Sequence, residues 1–402
     1  MELLNKNILT LYSSNDNVLT IKGEFCQYFK EPTFNNTITD ILNKHKTKID
    51  NIKNIKKWDF YKKLSNPFEL INQYIKTKKL NLGIADYNPI SRAFFKFWEI
   101  MYDFQLLENK NMVYGGLAEG PGGFIEAFGF YRRKFFLRNN DIIHCITLKD
   151  LDNSNVPSWK NITGCKYNIS WGGDGTGDLY KLENIINYSN LFKHNKADLV
   201  TGDGGFDFSM DYTNQEISAQ KLIFCEIVTG LSILKGGGNM VIKIFDMFYN
   251  TTKEILYMLT FFFEGVHIVK PHTSRPANSE KYVVCKNFTG ITKNILFQLY
   301  DIVNSFNDTN CIYLKSLLAK PIPIGFEKCI NSYNLYSISN QLKYIIKTYN
   351  YLYDDLGNEN INQIKNAQCV NSVAWCIKYK FDINKKSRYL NMNSKYNYIP
   401  NF

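Results

Sequence analysis

The sequence has little that would bind a structural metal. Its nine cysteines, among 402 residues, are scattered singly, with no Cys-x-x-Cys and no paired Cys/His spacing. Unclustered thiols are typical of reducing compartments, and the missing pairs exclude an ordinary structural zinc module. We therefore expect reduced cysteines and predict no metal site.

Long hydrophobic runs are also absent. The N-terminal stretch MELLNKNILTLYSSNDN has neither the basic start nor the long apolar segment of a secretory signal peptide. Apolar runs such as LYMLTFFF at 256–263 are too short to span a bilayer. From these absences we expect a soluble, cytoplasmic protein without a membrane-spanning segment.

Two widespread phosphate-binding loops are missing as well. The segment AEGPGGF at 118–124 lacks both the Gly-Lys-Ser/Thr of a P-loop and the GxGxxG spacing of a dinucleotide-binding loop. It does connect a predicted strand to a predicted helix, where a glycine-rich backbone can approach a ligand closely; an ordinary turn is the alternative. A second glycine-rich loop, WGGDGTGDL at 171–179, ends in Asp178, for which a helix N-cap is the simplest role.

Positive charge and aromatic side chains are abundant. The formal net charge is +11, the pI is about 9.0, and aromatic residues make up 15% of the chain. A basic protein suits a polyanionic partner, and aromatic rings can stack on unpaired bases. The alternatives are a Lys/Asn-rich genome bias, visible in NKHKTKIDNIKNIKK at 43–57, and aromatic rings that serve only as core.

Predicted strands and helices alternate between residues 86 and 290, which indicates βα units and a mostly parallel sheet. Only HTSRPANSE separates the last two strands, so we expect them to be an antiparallel pair. The predicted strands are 112–118, 142–148, 197–202, 238–245, 266–270 and 281–286. The predicted helices are 90–107 (with Ser91 as its cap), 123–137, 178–193, 213–235 and 251–264.

Two regions flank this alternating segment. Residues 1–85 are rich in Lys and Asn and are predicted to form a mostly helical extension. Residues 291–402 are predicted to be a helical, aromatic region without a chemical motif. The predicted domain organisation is therefore 1–85, 86–290 and 291–402.

Four charged residues accompany the predicted sheet. Lys243 interrupts the apolar strand MVIKIF, and it is either a side chain that extends to water or a working base. Asp203 ends another strand, Glu280 begins the last one, and Lys96 lies on the helix before the sheet. An Asx turn for Asp203 and a solvated helix position for Lys96 are the ordinary alternatives. Three of the four at strand ends of one sheet favour a functional site.

The order of these motifs resembles that of the FtsJ-like ribose 2′-O-methyltransferases, and most closely the mRNA cap-1 methyltransferases and their relatives in large cytoplasmic DNA viruses. The resemblance covers about residues 90–288. It implies an α/β, Rossmann-like fold with a seven-stranded, mostly parallel sheet, an antiparallel last strand, and helical N- and C-terminal additions. The matching motifs are RAFFK, AEGPGGF, ITLK, GDGTGDL, DGGF, LSILKGGGNMVIKIFD and KPHTSRPANSEKYVVCK.

The resemblance also assigns roles to positions of this chain. The family's Lys-Asp-Lys-Glu catalytic tetrad corresponds to Lys96, Asp203, Lys243 and Glu280. Its S-adenosylmethionine pocket corresponds to Gly120, Pro121, Gly122, Gly123, Phe124, Thr147, Leu148, Asp178 and Asp203. Two departures are Thr147-Leu148-Lys149, where many methyltransferases have an acidic residue but cap-1 relatives do not, and Glu119, where small residues are common.

The function implied is S-adenosylmethionine-dependent methylation of the ribose 2′-hydroxyl of the first transcribed nucleotide of capped mRNA, with Lys243 as the base. For this role we expect burial and the charge of Lys96 to lower the pKa of Lys243, while Asp203 and Glu280 act in the opposite direction and orient the amines. Two alternatives stay open: an rRNA or tRNA substrate, and a catalytically silent, virion-associated RNA-binding protein. The expected partner is RNA, with other capping or transcription proteins as further candidates, and the cytoplasmic location includes a viral factory or a virion.

Overall fold

A computed structural model of the protein describes residues 8–13, 18–28, 31–75, 80–108, 110–136, 140–149, 156–205, 213–308, 313–354 and 356–392. Phe206, the last residue of the DGGF motif, lies outside the described residues. The strands are β1 (Leu9–Leu11), β2 (Ile21–Cys26), β3 (Tyr74–Ile75), β4 (Leu80–Asn81), β5 (Val113–Leu117), β6 (Ile142–Ile146), β7 (Asn168–Ser170), β8 (Ala197–Gly202), β9 (Leu234–Ile244), β10 (Phe263–Val269), β11 (Lys281–Phe288) and β12 (Tyr313–Leu318). The helices are α1 (Thr37–Asp50), α2 (Ile55–Ser65), α3 (Ala93–Asp103), α4 (Gly123–Phe135), α5 (Leu182–Asn190), α6 (Gln215–Ile233), α7 (Asn250–Leu259), α8 (Lys293–Ser305), α9 (Ile324–Tyr353), α10 (Asn358–Lys378) and α11 (Arg388–Met392).

One eight-stranded sheet forms the centre of the fold, in the order β1-β10-β11-β9-β8-β5-β6-β7. The strands from β9 to β7 pair in parallel, whereas β11 is antiparallel to both of its neighbours, β9 and β10. The predicted α/β fold, the mostly parallel sheet and the antiparallel last strand are confirmed. Six of the strands β5 to β11 were predicted by position, and β7 is the seventh that the resemblance implied. The strand β1 adds an eighth at the edge by pairing with β10.

Helices cover both faces of this sheet. On one face, α5 to α8 contribute apolar side chains such as Phe224 and Leu256, which are almost fully buried. On the other face, α3, α4 and α10 contribute Phe94, Phe124 and Trp375, which are buried to the same degree. Each such side chain stabilises the fold by about 1.5–3 kcal/mol relative to exposure. The C-terminal helix α10 is therefore part of the same core as the sheet.

The flanking regions pack on this core and on each other. The helices α1 and α2 contact α9, and β2 pairs antiparallel with β12. The N-terminal region, which was expected to be mostly helical, thus also contains β1 to β4. Within the described ranges, no helix combines the length and apolar character that a membrane span needs.

Several local predictions differ from the structure; the strand predicted at 238–245, for example, begins at Leu234. The helix predicted at 251–264 ends at Leu259, because Phe263 already begins β10. The helix predicted to begin at residue 178 begins at Leu182 instead. Ser91 does not cap α3: the N-cap is Arg92, and the buried hydroxyl of Ser91 has no hydrogen-bond partner among the described residues.

Candidate active site

Parallel strand ends bring the predicted site residues to one edge of the sheet. In the register, Leu117 lies beside both Ile146 and Gly202. Because the carboxyl ends of parallel strands meet at the same edge, the residues that follow them are neighbours. This edge therefore holds the glycine loop after β5, Thr147 after β6 and Asp203 after β8.

Lys243, near the end of β9, is held by Asp203. Its Nζ donates to the backbone carbonyl oxygen of Asp203 at 2.7 Å and lies 3.3 Å from Oδ1 of the same residue. The hydroxyl of Tyr282, which is opposite Lys243 in the register of β9 and β11, donates to that Oδ1 at 3.0 Å. Only 11% of the Lys243 side chain is exposed, so the lysine is a paired, interior residue and does not extend freely to water.

Lys96 and Glu280 form a second ion pair. The Nζ of Lys96 lies 2.8 Å from Oε2 of Glu280, and the hydroxyl of Ser274 donates to Oε1 at 2.8 Å. The neighbouring ring of Phe97 stacks on Phe124 with 4.4 Å between centroids, which fixes α3 against α4. Lys96 is therefore a partly buried, paired residue and not a solvated one. The structure brings all four predicted tetrad residues together as two adjacent ion pairs.

The charges of this cluster set the protonation state of its members. Burial lowers the pKa of Lys243, but the carboxylates of Asp203, Glu280 and Glu226 raise that pKa by more, so it lies above the ordinary lysine value. The predicted lowering of the Lys243 pKa is therefore wrong, because the surrounding carboxylates outweigh burial and Lys96 is paired with Glu280. Burial raises the pKa of Glu280, but Lys96 and Lys243 lower it to about 2, so Glu280 is a carboxylate at neutral pH.

The glycine loop turns the chain from β5 into α4. Gly122 is the N-cap and has a φ of 108°, a left-handed conformation that favours glycine. A Cβ on Gly120 would lie 2.8 Å from the carbonyl oxygen of Pro157, and one on Gly122 would lie 2.8 Å from Cδ1 of Ile162. Close packing of the segment 156–162 therefore accounts for these two glycines apart from any ligand.

Of the other loop residues, Pro121 directly precedes the N-cap, and Gly123 and Phe124 begin α4. No side chain caps this helix end. The first N–H groups of an α-helix have no partner within the helix, and they form a site for negatively charged groups. The ring of Phe124 is fully buried in the core, so Phe124 can contribute only its backbone to a ligand.

The second glycine-rich loop lies against the end of β6. The N–H of Lys149 donates to the carbonyl oxygen of Thr176 at 2.7 Å, and Gly177 packs against the peptide between Thr147 and Leu148. Thr147 is buried, whereas Leu148 is 44% exposed. The loop therefore places an exposed apolar side chain at the same edge of the sheet as the tetrad.

Asp178 follows directly after this contact. Its Oδ1 accepts from the N–H of Tyr180 at 2.9 Å, which closes a turn four residues before α5 begins at Leu182. Asp178 is therefore not an N-cap; it directly follows Gly177, which packs against the peptide between Thr147 and Leu148. The carboxylate and the apolar side chain together could bind a ring that carries an amino group.

A buried acid below the tetrad has no signal in the sequence. The Oε1 of Glu226, in the middle of α6, accepts from the N–H of Gly204 at 3.0 Å, while its buried Oε2 has no hydrogen-bond partner in the described part of the chain. Burial raises the pKa of Glu226 to about 8, and Lys243 and the N–H of Gly204 oppose this rise. Glu226 therefore supports the turn after Asp203 as a neutral acid at neutral pH.

Tyr282, Ser274 and Glu119 complete the surroundings of the site. Tyr282 could have been found in the sequence, because side chains alternate along a strand and residues 280 and 282 face the same side. Glu119 is buried and accepts hydrogen bonds from the hydroxyls of Tyr114 and Thr201. Burial raises the pKa of Glu119 well above its ordinary range. It supports the strand ends from below the site, which explains this departure from the family pattern.

Metal ligands are not clustered in the described residues. No group of three or more His, Cys, Asp or Glu side chains with the geometry of a metal site occurs among them. The site itself is formed by two lysines, two carboxylates and the loops around them.

Comparisons with known proteins show which sequences this chain is similar to. The family model of FtsJ-like methyltransferases matches residues 89–288. Three curated relatives share the name cap-specific mRNA (nucleoside-2′-O-)-methyltransferase 1. That of Dictyostelium discoideum is 28% identical over 75% of this chain and 41% of its own length. That of Trypanosoma cruzi is 32% identical over 44% of this chain and 49% of its own length. That of Trypanosoma brucei brucei is 33% identical over 50% of this chain and 53% of its own length. The chain thus spans about half or less of the length of each of these relatives.

Proposed function

We propose that the protein, whose residues 89–288 match the family model of FtsJ-like methyltransferases, is an S-adenosylmethionine-dependent RNA 2′-O-ribose methyltransferase that acts on the first transcribed nucleotide of capped mRNA. The observation that carries the proposal is the position of Lys243, which is held by Asp203 and lies next to the ion pair of Glu280 and Lys96. A ribose hydroxyl is a weak nucleophile, and a positioned base that removes its proton accelerates its attack by about 10²–10⁴-fold.

Lys243 is the proposed base. Its Nζ is fixed by a backbone carbonyl oxygen and a carboxylate, so it can be aimed at a hydroxyl group without a change of rotamer. The same carboxylates hold Lys243 as an ammonium in the resting protein, since its pKa is raised. Lys243 must therefore lose a proton before it can accept one from the ribose, and the fraction of active protein should increase with pH.

The strand-end loops supply groups that fit S-adenosylmethionine. The uncapped first turn of α4 offers N–H donors to a carboxylate. Asp178 can accept a hydrogen bond from an exocyclic amine, and Leu148 offers apolar surface to the adenine ring. Asp203 provides a negative charge at the same edge. When bound there, S-adenosylmethionine would supply the methyl group from its sulfonium.

Capped mRNA is the substrate that the relatives favour. All three are named as cap-specific mRNA methyltransferases, and the net charge of +11 suits an RNA. The test uses S-adenosylmethionine labelled in its methyl group and two RNAs of identical sequence, one with an N7-methylguanosine cap and one with a 5′-triphosphate. We expect label in the capped RNA only, and a rate of labelling about 10²–10⁴-fold lower with Lys243→Ala.

Two other outcomes would count against the proposal. Label in both RNAs to the same extent would contradict the requirement for a cap and would favour a different RNA substrate. Label in neither RNA, with a folded protein that binds RNA, would contradict methyl transfer itself.

A further inference from the structure

The lysine-rich segment at 43–57 continues into α2 and is not used by the proposed active site. Over residues 43–63 it contains eight lysines, at 44, 46, 48, 53, 56, 57, 62 and 63, against two aspartates, at 50 and 59. This segment forms α1, the turn that follows it and α2. Most of its lysines are exposed, whereas Lys46 is buried and paired with Asp246. Positive charge is thus concentrated in this segment, and Lys44, Lys48, Lys53, Lys56 and Lys63 are exposed.

This surface contains a groove between the α1–α2 turn and the C-terminal end of α9, with a volume of about 730 Å³. The rings of Tyr349 and Tyr353 lie on its α9 side, nearly parallel at 7°, with 6.2 Å between centroids. Tyr353 is 74% exposed, so a face of this ring is open to solvent. The groove, called the lysine–tyrosine groove below, is lined by His45, Lys48, Asn51, Ile52, Lys53, Asn54, Ile346, Tyr349, Asn350, Leu352 and Tyr353.

A chain of contacts joins the lysine–tyrosine groove to the active site. The ring of Tyr349 packs on Trp58 with 5.1 Å between centroids. Trp58 also lines a second cavity of about 150 Å³, whose other wall includes Arg275 and Asn278. These two residues belong to the loop that ends at Glu280. The groove therefore lies one cavity away from the loop that leads to Glu280.

We propose that the lysine–tyrosine groove binds single-stranded RNA and so extends the RNA-binding surface of the methyltransferase domain beyond residues 89–288. This proposal rests on the proposed function, because it assumes that the substrate is RNA. It assigns a role to the flanking regions of the chain: the α1–α2 turn contacts phosphates through its lysines, and the exposed ring of Tyr353 stacks on a base.

The side chains of the groove favour RNA over an acidic protein surface. Lys48 and Lys53 are exposed and would attract either partner, and no acidic side chain is among the described residues that line the groove. The nearest acid along α9, Asp354, is exposed and does not line it. An open aromatic ring next to lysines is the arrangement that binds unpaired bases without regard to sequence. An acidic protein surface would pair with the lysines, but its carboxylates would not stack on the exposed ring of Tyr353.

The test measures binding of a fluorescent, uncapped single-stranded RNA of about 20 nucleotides, longer than one typical binding site. It uses the full chain carrying Lys243→Ala, without S-adenosylmethionine, so that turnover plays no part. Tyr353→Ala should weaken binding about fivefold or more, as loss of base stacking does in other proteins, while Tyr353→Phe retains it. Lys48→Ala with Lys53→Ala should reduce the slope of log K against log salt by about 1.4, or about 0.7 for each phosphate contact.

Matched controls make the outcome decisive. Lys293 and Lys320 are exposed and lie outside the groove, so Lys293→Ala with Lys320→Ala removes the same charge elsewhere. The proposal is overturned if this control pair changes the salt slope as much as the groove pair does. It is also overturned if Tyr353→Ala binds like the parent, if a duplex of the same length binds as tightly, or if polyglutamate competes as well as unlabelled RNA. If the groove binds RNA but the wild-type protein transfers no methyl group, the proposed function is contradicted and the proposal for the groove still holds.

Discussion

The Nζ of Lys243 and the backbone carbonyl oxygen of Asp203 are 2.7 Å apart, and the carboxylate of Asp203 lies 3.3 Å from the same nitrogen. This arrangement fixes the amine and at the same time keeps it charged. The ion pair between Glu280 and Lys96 adds a second carboxylate to its surroundings. Lys243 is therefore positioned as a base, but it is protonated in the resting protein and has to lose a proton before it can act.

Substitution of Lys243 tests its role as a base. Lys243→Arg keeps the positive charge but cannot accept a proton at accessible pH, because the guanidinium pKa is above 12. We expect kcat for methyl transfer to fall by about 10²–10⁴-fold in both Lys243→Arg and Lys243→Ala, the usual contribution of a general base. Binding of S-adenosylmethionine, measured by calorimetry, should persist in both. Turnover by Lys243→Arg within a few-fold of the wild type would rule out the assignment.

The raised pKa of Lys243 predicts an alkaline pH profile. Below its pKa, the deprotonated fraction of Lys243 increases tenfold with each pH unit. The rate at saturating substrates should therefore rise with pH through neutrality, with a slope of log rate against pH of about 1 between pH 6.5 and 9. A plateau that begins below pH 8 would show instead that the pKa of Lys243 is lowered in the functional complex.

Asp178 is predicted to bind the cofactor. Asp178→Ala removes the carboxylate at the end of the second glycine-rich loop and should weaken the binding of S-adenosylmethionine about tenfold or more, since a hydrogen bond to a charged group contributes about 1.5–3 kcal/mol. Glu183→Ala, at an exposed position five residues further along, is the matched control and should bind like the wild type. Isothermal titration gives both affinities, and thermal melting shows whether each variant is folded. Equal affinities for the two variants would remove Asp178 from the site.

Glu226 is predicted to make the protein less stable at alkaline pH. Its pKa is raised from 4.5 to about 8 in the folded protein, so between these values the folded chain retains a proton that the unfolded chain releases. The free energy of unfolding should therefore fall as pH rises through this window, by on the order of a few kcal/mol from this group.

The variant Glu226→Gln removes this ionisation but keeps an oxygen that accepts from the N–H of Gly204. The melting temperature of Glu226→Gln minus that of the wild type should be higher at pH 8 than at pH 5. A difference in melting temperature that does not change with pH would show that Glu226 does not titrate in this range.

The sequence predicted those parts of the fold that are marked by a local pattern of residues. Glycine loops between apolar runs located the ends of β5 and β8, and the short HTSRPANSE connection indicated the antiparallel pair of β10 and β11. The three-residue strand β1 and the pairing of β2 with β12 have no such pattern. Both depend on partners more than 250 residues away in the sequence, which no local window contains.

The residues of the tetrad could also be predicted from the sequence, but the direction of the Lys243 pKa shift could not. The motif order identifies which lysines and carboxylates belong together, and the structure brings them together. The direction of the Lys243 pKa shift depends on three carboxylates, and one of them, Glu226, lies on α6 without a motif. Whether burial or the neighbouring negative charges have the larger effect on the pKa of Lys243 depends on the distances between these groups, which the sequence does not give.

The most direct test of the central claim uses two capped RNAs that differ only at the first transcribed nucleotide, which carries a 2′-hydroxyl in one and a 2′-deoxyribose in the other. Each is incubated with the protein and S-adenosylmethionine labelled in its methyl group, and the label in the RNA is counted. We predict label in the RNA that has the 2′-hydroxyl and none in the deoxy RNA, because Lys243 is positioned to activate that hydroxyl. Equal label in both RNAs would place the methyl group elsewhere and contradict the account.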